Sequence, residues 1–110
     1  MSNAQSERTF PFTAEEDNDG SRFVWFMYQQ SGYPYEYVKT DSFQYIKNFV
    51  QPPNNEPQVG DVAWWNNFMA IYDPTAPDDS NLITAQRRLS LTTIVKVYGP
   101  VRWYRYYRNK

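Results

Sequence analysis

Hydrophobic and polar positions change their pattern from residue 61. Before it, apolar residues cluster between polar, Gly and Pro positions; after it they fall into runs bounded by turn residues. The first cluster, Phe23-Val24-Trp25-Phe26-Met27-Tyr28, is six apolar residues long, and such a run suits a buried helix or a buried strand. Its ends predict a helix over residues 21–31, with Asp19 or Ser21 to cap the start and Gly32 followed by Pro34 to stop it. A second helix is predicted over residues 41–48, with Thr40 or Asp41 as N-cap and Phe43, Ile46 and Val50 on one side. Residues 51–57 carry Pro52, Pro53 and Pro57 and read as an extended connector.

Strand patterns follow. Residues 61–65 and 68–72 flank Asn66-Asn67, a pair suited to a tight hairpin turn. A loop over residues 73–81 precedes a strand at residues 82–85. Residues 91–98 are β-branched at Thr92, Thr93, Ile94, Val95 and Val97 and predict another strand, broken by Gly99-Pro100 before a last one at residues 101–107. Helices first and strands afterwards predict an α+β fold with an antiparallel sheet of about five strands. Residues 1–17 read as a polar N-terminal arm whose apolar point is Phe10-Pro11-Phe12, and residues 18–110 as a single domain.

Composition adds mainly exclusions. The 110 residues have room for one core, and ten Tyr, seven Phe and four Trp argue for a packed chain. A formal charge of −1 gives no global field to steer nucleic acid or an anionic membrane, and no apolar run approaches the ~20 residues of a membrane span. The sequence has no Cys and no His. Disulfides, thiolate and imidazole zinc sites, and Ser-His-Asp or Cys-His catalysis are therefore all excluded. No cofactor is expected. The first eight residues lack the basic and apolar regions of a signal peptide, and Ser2-Asn3-Ala4 reads as a cloning remnant. Localisation is not read from this end; a trimmed leader would allow association with the cell envelope.

Two stretches resemble the motifs of the NlpC/P60 superfamily of papain-like cysteine peptidases and amidases. The family's nucleophile motif runs roughly Asp-Cys-Ser-Gly-Phe-Val, often continuing to Ala-Gly-Tyr-Pro. This chain has Asp19-Gly20-Ser21-Arg22-Phe23-Val24 and then Ser31-Gly32-Tyr33-Pro34. The second motif is Pro-Gly-Asp-Leu/Val, aromatics, and a strand opening with His. Here it is Val59-Gly60-Asp61-Val62-Ala63-Trp64-Trp65 and then Phe68-Met69-Ala70-Ile71-Tyr72-Asp73. The likeness covers residues 18–107 and implies a papain-like α+β fold, N-terminal helices packed on an antiparallel sheet. The family's Cys position falls on Gly20 and its His position on Phe68; the polar residue that orients the His falls on Thr84 or, second, Gln86. Ser21 has no imidazole to activate it. The resemblance thus implies a degenerate member without the family's chemistry, a pseudoenzyme.

Other candidates each have a plainer alternative. Tyr33 and Tyr35 fall where the resembled fold has a groove rim, or else are surface packing. Trp64 and Trp65 point to opposite sides of a strand, so one is expected in the core and the other free to stack on a ligand. Residues 102–108 interleave Arg with aromatics like a strip that binds single-stranded nucleic acid, but overall charge and an acidic arm oppose that, and a sheet-closing strand with Arg paired to acids is expected instead. Asp73, Asp78 and Asp79 lack the Gly and Glu of a calcium loop and read as a solvated turn, so no metal is expected. Glu15, Glu16, Glu36 and Glu56 show no spacing that singles out a catalytic pair. The expected function is binding, of cell-wall peptide or peptidoglycan, with Tyr33, Tyr35, Trp64 and Trp65 as contacts. The alternative is a protein–protein module, a regulator or immunity-type partner of an active relative; a hydrolase without Cys ranks last.

Overall fold

The computed structural model describes residue 17 and residues 19–75, 78–85 and 87–107. Most of the predicted arm lies outside the described residues. Helix α1, Ser21–Gln30, begins and ends close to its prediction. Its free N–H groups are met by two carboxylates. Asp17 accepts from Arg22 N–H (2.8 Å) and Phe23 N–H (2.9 Å), and Asp19 from Ser21 N–H (3.0 Å). Its end is a Schellman closure: Tyr33 N–H donates to Tyr28 C=O, Gly32 N–H donates to Gln29 C=O, and Gly32 has φ +87°. Phe23 and Val24 are fully buried, each side chain stabilising by about 1.5–3 kcal/mol.

The second predicted helix is a 3-10 helix, Thr40–Tyr45, and Ile46 is already extended (ψ 149°). Phe43 and Phe49 enter the core, whereas Val50, expected on the same side as Phe43, is exposed. After it come β1 (Phe49–Val50), a 3-10 turn (Pro53–Asn55), β2 (Val62–Trp65), β3 (Phe68–Tyr72), β4 (Leu82–Thr84), β5 (Arg87–Leu89), helix α2 (Leu91–Tyr98) and β6 (Arg102–Tyr106). The sheet has six strands, in the order β1-β6-β2-β3-β4-β5, with every neighbouring pair antiparallel. Trp65 pairs with Phe68, so Asn66-Asn67 closes a two-residue hairpin as the sequence predicts.

The predicted strand over residues 91–98 is wrong: it is α2. Ser90 caps it, its hydroxyl accepting from Thr93 N–H (3.3 Å), and Gly99 ends it with φ +96°. Leu91, Ile94 and Val95 recur at helical spacing and pack on Ala63, Trp65, Phe68 and Trp103. The sheet is therefore covered on both faces. On the α1 side lie Val24, Val62, Trp64, Met69 and Tyr104, with Phe23 and Ile83 beside them. Among the described residues, no helix is long and apolar enough to cross a membrane.

The Asp17 carboxyl is buried, and desolvation pushes it up to about 6, outweighing the two backbone N–H donors that favour its charged form. Its folded value is above the ordinary one, so its contribution is full below about pH 4 and is lost as the pH rises through about 6. Unfolding free energies at pH 4.5 and 7.5 are expected to show a loss of about 2 kcal/mol from this group. The Asp17→Asn protein should lack that part of the pH dependence; an identical profile in both proteins would refute the assignment.

Candidate functional site

The two motif segments meet in space through backbone. Met69 N–H donates to Asp19 C=O (2.8 Å), which lays the start of α1 on β3 one residue beyond Phe68. Gly20 has φ +82°, and a Cβ placed there would lie 1.9 Å from the Met69 carbonyl oxygen. A side chain of any kind is excluded by this packing. Phe68 is buried with its ring on the α2 side of the sheet, stacked on Tyr98 (5.6 Å, 13°) and tilted against Trp65 (6.0 Å). Thr84 is buried at the end of β4, where its hydroxyl accepts from Arg87 Nε (3.3 Å). The Gly20, Phe68 and Thr84 positions are thus each buried, and Gln86 lies outside the described residues. The buried Ser21 hydroxyl donates to Asp19 Oδ1 (2.9 Å) and accepts from the Tyr37 hydroxyl (2.8 Å).

Three of the four predicted ligand contacts belong to the core. Tyr35 is buried among Tyr28, Phe43 and Phe49, not on a rim. Trp64 and Trp65 do face opposite ways, but both are buried because each face of the sheet is covered. Each indole N–H donates to a carbonyl of the segment above it, Trp64 to Thr40 and Trp65 to Gly99, both at 2.8 Å. Tyr33 remains, 46% exposed and edge-on to Tyr106 (5.3 Å).

Tyr33 lines an open groove of about 880 Å³ between the later turns of α1 and the end of the sheet. Phe23, Met27, Ile71 and Ile83 give it apolar lining, and Tyr28, Tyr72 and Tyr106 add aromatic rings. None of Gly20, Phe68 and Thr84 lines it. The Tyr28 hydroxyl donates to Gly60 C=O, and Gly60 N–H to Tyr72 C=O, tying α1 to the groove's other bank. Two guanidinium groups complete the lining. Arg88 donates to Asp73 (2.7 Å) and to Ser80 C=O (2.8 Å). Arg105 holds Asp61 through Nε (3.1 Å) and Nη2 (2.9 Å) and reaches Glu56 C=O (3.3 Å). Burial raises the Asp73 carboxyl, but the Thr75 hydroxyl and N–H together with Arg88 outweigh it and hold it below the usual carboxylate range.

The predicted acid partner of the closing strand is Asp61, whereas Trp103 and Tyr104 in the same strand are buried and cannot stack on bases. Asp78 accepts from Ser80 N–H and Asp79 from the Ser90 hydroxyl, so with Asp73 turned to Arg88 the loop acids share no centre. Among the described residues no group of acidic side chains is placed to hold a metal. In comparisons with known proteins, no family model, curated protein or solved structure matches the chain.

Gly20→Ala is expected to destabilise the fold by about 2–4 kcal/mol, combining left-handed strain with displacement of the Met69 carbonyl. Urea unfolding measures it. A loss under about 0.5 kcal/mol would mean that α1 does not lie this close to β3.

Proposed function

We propose that this chain is a catalytically inactive, NlpC/P60-like domain that acts by binding, with the groove beside Tyr33 as its ligand surface. The observation that carries the reading is the Gly20 backbone packed on the Met69 carbonyl, in a sequence with neither Cys nor His. Where the resembled family has a nucleophile, this chain has no side chain and no space for one. Contact between the two motif segments, Asp19 with Met69, supports the family reading. The groove has the concave shape, apolar floor and few polar groups of a ligand site. Cell-wall peptide is the first ligand to test, since the resembled family acts on it.

A protein–protein module is the second reading. The packing that closes off Gly20 and Phe68 favours it.

Purified protein mixed with bacterial sacculi and pelleted is expected to co-sediment and to release no soluble muropeptides. Tyr33→Ala should shift most of it to the supernatant. Protein that stays in solution removes the wall ligand and moves the search to protein partners. Fragments released above a heat-treated control would overturn the pseudoenzyme reading.

A further inference from the structure

Two of the core clusters have a cover of their own. The cluster of Val62, Trp64 and Tyr104 is closed by the segment over residues 35–49, through Tyr35, Phe43 and Phe49, and that of Trp65, Phe68 and Trp103 by α2. The third, Phe23, Ile83 and Ala85 with Met27 and Ile71 against it, draws among the described residues only on α1, β3, β4 and the residue after β4. Strand pairing sets Ile71, Ile83 and Arg88 in one row on the α1 face of the sheet. Phe23, Met27, Ile71 and Ile83 line the groove, and Met27 and Ile71 are only half-buried. This flank is an apolar strip that α1 covers in part.

The chain that precedes α1 joins the fold beside this strip. Asp17 holds the Arg22 and Phe23 N–H groups through its two carboxylate oxygens, which fixes the junction at the first turn of the helix. Phe10-Pro11-Phe12, outside the described residues, is the apolar point of that preceding chain, and Phe12 is five positions ahead of Asp17. At ~3.4 Å per extended residue, five positions reach up to roughly 17 Å. Phe23 to Met27 takes up only about 6 Å of helix, so both rings have the reach to cover the strip. Pro11 fixes its own φ and favours an extended Phe10. In an extended chain, side chains two positions apart stand on one side about 7 Å from each other, close to the spacing of Phe23 and Met27 along α1. A tether this short gives an effective concentration on the order of millimolar, ahead of a free ligand at lower concentration.

We propose that Phe10-Pro11-Phe12 of the chain's own N-terminal segment occupies this strip, with its two rings over Phe23, Met27, Ile71 and Ile83. The segment completes the third cluster as α2 completes the second. Because the strip is part of the groove, the segment also competes with a ligand there: an occupant present about half the time halves the apparent affinity. The competition rests on the reading of this groove as the binding surface; the seat of the segment does not.

The test compares the amide resonances of the full chain with those of its Phe10→Ala/Phe12→Ala variant. Shifts are expected at Phe23, Met27, Ile71, Ile83 and Arg88, and none at Ala63 or Trp103 on the α2 face. Changes confined to residues next to the substitutions overturn the proposal. A second measurement keeps both rings: the sequence has no Cys, so Thr13→Cys takes a nitroxide label at one site. The label is expected to broaden the Met27 and Ile83 resonances and to spare Lys96 on α2; equal broadening of all three, or of none, overturns the proposal. In the sacculus assay the double variant should raise the ratio of pelleted to free protein by at least about twofold. Shifts along the strip with unchanged sedimentation support the seat and overturn the competition. No sedimentation of either protein overturns the proposed function alone, and the resonances decide the seat.

Discussion

The hydrogen bond from Met69 N–H to Asp19 C=O holds helix α1 directly on the backbone of β3, and the close approach at Gly20 comes with it. Much of the molecule's form follows from that contact. It sets the helix over the α1 face of the sheet, so that Val24 meets Met69 and Trp64 in one cluster and Phe23 meets Ile83 in another. The helix itself ends locally, at Gly32. From there the Schellman closure at Gly32 turns the chain so that Tyr33 stands at the groove and Tyr35 enters the core. The price is a position where only glycine fits, because both the left-handed φ and the carbonyl in front of it exclude a Cβ.

The parts of this fold that were legible from sequence are those whose signals are local. The hairpin at Asn66-Asn67, the stop at Gly32 and the break at Gly99 are each set by residues within a few positions of where they act. The failure at residues 91–98 has a specific cause. β-branched residues favour strands only when they can pack on a pleated surface, and that preference is weak beside tertiary context. Here Ser90 offers a cap and Leu91, Ile94 and Val95 offer one apolar stripe to the uncovered face of the sheet, and together they outweigh it. The capping Ser and the i, i+3, i+4 spacing were visible in the chain; the β-branched run masked them. Strands β1 and β5 are two and three residues long, too short for any periodic pattern to register.

The site divides in the same way. Gly20 and Phe68 could be singled out because two short motifs mark them, and the local backbone at Gly20 adds a reason for the glycine that motif comparison alone does not contain. The groove could not. Its lining comes from α1, β3, β4, β5 and β6, gathered near one end of the sheet by a strand order that places the last strand between the first two. Asp17 was equally hidden, since a carboxylate four residues ahead of its helix matches no capping spacing. For Trp64 and Trp65 the reason is related: alternation tells which way each points, but not that both directions are inside.

Coverage of both sheet faces bears on how this molecule can work. A half-covered sheet has an apolar face that a partner must fill; this one has used both faces on itself, with α1 and the 40–45 turn on one side and α2 on the other. What stays open is the sheet's end, where the groove lies and where strand ends supply charged residues. The carboxylate that lines it, Asp73, accepts from Thr75 and Arg88 and is held ionised, so it has no proton to give and little lone-pair capacity to take one. Groups committed to one another in this way cost little to hold in place and are poorly suited to proton transfer. They fit the proposed binding role, which needs groups fixed in place before a ligand arrives.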